Sequence, residues 1–115
     1  MGIQNFSEDV LYVTLPKQPH MSNELERINE IASNSPAYDV VVDFSKVKIL
    51  TSASVCNLMI LKEILKGLER HLVLCSVPPE VRKIFTVTGL EGLFEFANDK
   101  FGALNLMQRV PYLQD

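Results

Sequence analysis

The sequence predicts an α/β domain built on a four- to five-stranded, mostly parallel sheet, with an N-terminal antiparallel strand and about four helices. Two observations carry this. Asp39-Val-Val-Val-Asp-Phe44 and Leu72-Val-Leu-Cys-Ser-Val77 are short apolar runs without polar alternation, as strands covered on both faces require. Between and after them lie longer stretches with apolar residues at helical spacing. Strands alternating with helices imply a parallel sheet with right-handed crossovers, and Val40 to Val42 and Leu72 to Leu74 are expected at its centre.

Taken in order, Val10-Leu-Tyr-Val-Thr-Leu15 is β-branched and aromatic and stops at Pro16, which predicts a strand. Ile3 to Phe6 offers a shorter strand to pair with it. After a loop from Pro16 to His20, a helix is expected to start at Ser22 or Asn23, either of which can cap it. Its apolar positions are Leu25, Ile28, Ile31 and Ala32, with Glu24, Glu26, Arg27 and Glu30 on the polar side. Ser33 to Pro36 ends it. An extended piece, Val47 to Leu50, leads into Thr51-Ser52-Ala53-Ser54 and the longest helix, to Arg70. Pro79 suits the first turn of the next helix, to Thr88, and Gly89 its C′ position. Phe94-Glu-Phe96 reads as a short strand, Asn98 as the cap of a last helix to about Gln108, and Val110 to Asp115 as a surface tail. No repeat, low-complexity tract or linker interrupts the 115 residues, so a single domain is expected.

With 47% apolar and 22% charged residues and a formal charge of −3, the chain has the balance of a soluble globular domain. Eleven basic residues against fourteen acidic ones form no dense run, which argues against nucleic acid or an anionic membrane as the main partner. No stretch is long enough for a membrane span and no signal-peptide pattern opens the chain. Met1-Gly2 lacks the Ser or Thr at position 6 that myristoylation favours; Phe6 stands there. These readings place the chain in the cytoplasm. Cys56 and Cys75 have neither metal-ligand nor disulfide spacing, and both lie in apolar runs, so buried free thiols are expected.

Catalytic patterns are missing. His20 and His71 fall in a loop and at a strand head, outside any nucleophile elbow such as G-x-S-x-G. Asp39 and Asp43 share a sheet face by spacing, but acids so placed more often punctuate strand ends than share a proton. The five glycines form no phosphate-binding loop. A non-enzymatic module without cofactor or metal is the expectation.

Thr51 to Ser54 is the most informative stretch. Unpaired backbone N–H groups and the positive end of a helix dipole meet there. One hydroxyl is accounted for as a cap; three hydroxyls in four residues also fit a phosphorylation turn, where a phosphoryl group would change the local charge by nearly two units. On a helical wheel, Leu58, Leu61, Ile64, Leu65 and Leu68 form the core face. Val55 and Met59 lie among Lys62, Glu63, Lys66, Glu69 and Arg70 on the other side. They mark either a contact surface, for which Met is well suited, or a rotated core.

Residues 39–55, Asp39-Val-Val-Val-Asp-Phe-Ser-Lys-Val-Lys-Ile-Leu-Thr-Ser-Ala-Ser-Val, resemble the STAS signature: a hydrophobic strand, an extended link and a D-S-S-G-type turn opening a helix. The likeness continues through His71 to Phe85, through Val87-Thr-Gly-Leu-Glu-Gly-Leu-Phe-Glu-Phe96, and to Ala103-Leu104. It covers roughly residues 8–106. The resemblance implies an anti-sigma-factor antagonist in bacterial signalling and transcription regulation. Such proteins bind an anti-sigma factor or kinase, and let go when a serine of the turn is phosphorylated. Aligned without gaps, Thr51 falls on the Asp, Ser52 on the first Ser, Ala53 on the phosphoacceptor and Ser54 on the Gly. Either Ser52 or Ser54 substitutes as the phosphorylated residue, or binding is constitutive. The partner-binding turn implied is Thr51, Ser52, Ala53, Ser54, Val55 and Met59. An accessory STAS subunit of a lipid-transport ABC system or of a stress-signalling scaffold is the alternative, and homodimerisation is a further candidate association.

Overall fold

The computed structural model describes residues 3–7, 10–17, 20–34 and 38–109. The apolar runs form strands as their composition requires. They are β1 (Ile3–Ser7), β2 (Val10–Thr14), β3 (Asp39–Asp43), β4 (Leu72–Cys75) and β5 (Glu95–Ala97). The helices are α1 (His20–Asn34), α2 (Ser52–Gly67), α3 (Pro79–Val87) and α4 (Lys100–Arg109). Among the described residues the sheet has the order β1-β2-β3-β4-β5. Only β1 is antiparallel to its neighbour; β2, β3, β4 and β5 pair in parallel, with Val40 opposite Leu72. The two continuous apolar runs thus occupy central strands.

Strand parity divides the core. Leu11, Val13, Val40, Val42, Leu72 and Leu74 join Leu25, Ile28, Leu58, Leu61, Leu65, Val81 and Phe85 in one cluster under α1, α2 and α3. Tyr12, Val41, Val73 and Cys75 pack instead with Ala103 of α4. Right-handed crossovers between sequential parallel strands put the three connecting helices on one face. α4 follows the last strand and covers the other. Each fully buried aliphatic side chain contributes about 1.5–3 kcal/mol of transfer free energy. Phe85 anchors the α3 end, meeting Phe44, Phe94 and Phe96 edge-on at centroid distances of 6.4, 5.6 and 5.4 Å.

Several boundaries differ from the sequence reading. α1 starts at His20, ahead of Ser22 and Asn23, and Glu24 is buried with the core rather than on the polar face. α2 stops at Gly67. There Glu69 takes φ +59°, while Glu69 N–H reaches the Lys66 carbonyl at 3.0 Å and Arg70 N–H the Leu65 carbonyl at 2.8 Å. That is a Schellman end with glutamate in the left-handed position. α3 ends the same way on Gly89 (φ +77°), the C′ residue expected. Asp99, not Asn98, caps α4 by accepting from Gly102 N–H at 2.8 Å. Residues 47–50 form no strand, a 3₁₀ turn occupies Glu91–Leu93, and β5 lies one residue later than read. Cys56 is exposed and Cys75 buried. At 100° per residue Cys56 lies about 200° from Leu58, opposite the core face. The tail from Val110 lies outside the described residues.

Candidate functional site

The first turn of α2 is held by two linked hydrogen bonds. Thr51, in extended conformation (φ −89°, ψ 164°), accepts from Ser54 N–H through Oγ1 at 3.2 Å. The Thr51 hydroxyl donates to Ser54 Oγ at 3.1 Å. Thr51 is thus the N-cap, and a cap of this kind stabilises a helix by about 1 kcal/mol. Ser54 is 0% exposed, so its hydroxyl is spent inside the turn. Ser52 and Ala53 face solvent.

From Ser52 onward one stripe of α2 looks outward: Ser52, Ala53, Cys56, Met59, Ile60 and Glu63 are all exposed. Met59 is 37% and Ile60 49% exposed. Val55 is half-buried and packs on the main core, so of the two apolar residues singled out on the charged side only Met59 is open. Ile60 and Cys56 were missed by the sequence reading, although the wheel that put Leu58 inward also turns both outward. Ile49, 65% exposed just before the cap, had no periodic signal because it lies in a loop. An open groove of about 590 Å³ runs along the outer seam of α1 and α2, lined by Glu26, Arg27, Glu30, Ile60 and Ile64 among others.

The loop into α2 rests on Asp43. Its Oδ1 accepts from Ser45 N–H at 2.7 Å, and its Oδ2 accepts from the Tyr12 hydroxyl. Burial, and then the bond to Asp43, hold the Tyr12 phenol above its ordinary range. Burial, and then the Asp43 charge, push the Cys75 thiol up to about 11. Asp39 accepts from His71 N–H at 2.8 Å, and its Oδ1 forms an ion pair with the Arg70 guanidinium at 3.2 Å. Each aspartate therefore fastens its own strand end, as read from the sequence. His20 is exposed and His71 half-buried. Among the described residues no three His, Cys, Asp or Glu side chains gather as metal ligands, and no helix is long and apolar enough to cross a membrane.

The sheet and its helices define an α/β domain in which α2 has a capped first turn and an outward stripe containing Cys56, Met59 and Ile60. The chain belongs to the STAS domain family: the family model described as Mlab, STAS domain, matches residues 19–95. BtrV of Bordetella bronchiseptica, a protein named as an anti-sigma factor antagonist, is 30% identical over 64 residues. That match spans 56% of this chain and 55%, about half, of BtrV. An anti-sigma-factor antagonist (STAS) domain protein from Planctomyces limnophilus has the same fold, with a TM-score of 0.79 and 17% identity over 94% of this chain and 99% of that one. So does the antagonist SpoIIAA of Bacillus in its unphosphorylated form, with a TM-score of 0.78 and 15% identity over 95% and 96% of the two chains.

Proposed function

We propose that this chain is a cytoplasmic, non-enzymatic protein-interaction module of the anti-sigma-factor-antagonist type. Its partner is an anti-sigma factor or serine-kinase-like protein, bound through the first turn of α2 and the stripe beyond it. The single observation that carries this is the outward row Ser52, Ala53, Cys56, Met59 and Ile60 on a helix fixed at its start by Thr51 and Ser54. A pre-ordered helix face loses little conformational entropy on docking, and exposed Met and Ile supply adaptable apolar contact. The likeness to BtrV supports the partner class.

Ser52 is the hydroxyl a kinase reaches, because Ser54 is enclosed. A dianion at Ser52 is favoured by the helix dipole by about 0.3–1 kcal/mol, yet repels a partner surface adapted to a neutral turn. The test has two arms. Met59→Asp should fold like the parent while losing at least about tenfold in affinity for the anti-sigma-factor kinase of the same genome. Incubation with that kinase and ATP should place phosphate on Ser52 by mass spectrometry. No phosphate on Thr51, Ser52 or Ser54, while a D-S-S-G control is modified, would establish constitutive binding instead.

A second reading is favoured by Ala53 at the usual phosphoacceptor position and by the Mlab description of the matching family model. In it the chain is an accessory subunit of a lipid-transport ABC assembly. Stable co-purification with a permease and its ATPase, and no binding to the kinase, would decide for this reading.

A further inference from the structure

The loop between β3 and α2 alternates between anchored and outward side chains. Phe44, Val47 and Leu50 are 0%, 1% and 8% exposed, whereas Ser45, Lys46, Lys48 and Ile49 face solvent. Its backbone is fixed by Phe44 N–H to the Cys75 carbonyl (3.0 Å), by Val47 N–H to the Phe44 carbonyl (2.9 Å) and by Ser45 N–H to Asp43. Ile49, 65% exposed, is therefore held outward between the buried Val47 and Leu50, two residues ahead of the Thr51 cap. An aliphatic group fixed in this way resembles the pre-organised anchors that dominate interface energetics. Its nearest charged neighbours in the chain are two ammonium groups.

The hollow between α1 and α2 has mainly the opposite sign. Glu26 and Glu30 of α1 line the groove against Ile60 and Ile64, with Arg27 between them. Lys46 lines a second hollow with His20, Glu24 and Arg27, so the positive charge of the loop meets the N-terminal part of α1, and Glu30 lies further along that helix.

We propose that Ile49 enters an apolar recess of the protein partner whose edge carries carboxylates facing Lys46 and Lys48. The loop then sets both partner choice and docking direction, since a partner turned end for end would bring its carboxylates against Glu26 and Glu30. This rests on the reading that the first turn of α2 meets the partner.

Titration calorimetry of the full chain with the purified anti-sigma-factor kinase of the same genome tests it, at about 50 and about 300 mM salt. Ile49→Ala should weaken binding at least about tenfold. The double variant Lys46→Glu, Lys48→Glu should do the same at low salt and less at high salt, because exposed charge pairs are screened. Both variants should keep the parental melting temperature, since all three side chains are exposed. If the parent binds and Met59→Asp weakens it, but these variants bind within about twofold of the parent, the loop inference fails and the proposed function stands. If the parent does not bind the kinase at all, both fail. Parental self-association in sedimentation that disappears in Ile49→Ala would make the occupant a second copy and overturn the carboxylate-edged partner.

Discussion

The Tyr12 hydroxyl donates to the Asp43 carboxylate, tying β2 to the end of β3 where the loop into α2 begins. The same carboxylate receives Ser45 N–H, so one buried group joins the α4 face of the sheet to that loop. Tyr12→Phe removes a donor to a charged, buried acceptor. It should cost about 1–3 kcal/mol, read as a lower urea midpoint with an unchanged slope. A loss below about 0.5 kcal/mol would mean that Asp43 is satisfied without the phenol.

Alkaline stability should report the same cluster. The Cys75 thiol is pushed up to about 11 from 9.0, first by burial and then by the Asp43 charge. A folded pKa above the unfolded one gives stability that is complete below pH 9 and lost as pH rises toward 11. Tyr12 is raised in the same sense from its ordinary 10.0, so its loss begins only above pH 10. The urea midpoint should therefore fall between pH 9 and 10 in the parent and stay flatter there in Cys75→Ala. Equal slopes in the two proteins would remove Cys75 as the cause.

The two thiols should separate cleanly with an alkylating reagent. Cys56 is exposed and Cys75 buried, and the thiolate is the reactive form. Native protein should take one label, on Cys56, and the second only in denaturant. Bound partner should protect Cys56, since it lies in the stripe between Ala53 and Met59. Rapid labelling of both thiols in native protein would contradict the burial of β4.

Glu69 holds φ +59° at the end of α2, a conformation disfavoured by side chains with a Cβ. Glu69→Gly should stabilise the chain by about 0.5–1 kcal/mol, despite the greater freedom glycine adds to the unfolded state. Thermal denaturation checks this. A lower melting temperature would show that the Glu69 side chain contributes more than its backbone costs.

The sequence by itself determined whatever depends on neighbours along the chain. Uniform apolar runs at Val40 to Val42 and Leu72 to Leu74 leave no polar face for solvent, so both had to be central strands. The hydroxyl at Thr51 before a helical period marked the start of α2, because a helix N-terminus needs an acceptor for its free N–H groups. Tertiary structure decided whatever depends on distant packing. Tyr12 and Asp43 are 31 residues apart, and no local period announces their bond. Glu24 and Ser54 are polar by type but buried by the packing around them. Ile49 faces outward because Val47 and Leu50 on either side are drawn into the core. The choice of Ser52 over Ser54 as the accessible hydroxyl also belongs to the fold, since one helical turn places Ser54 against the cap and leaves Ser52 to solvent.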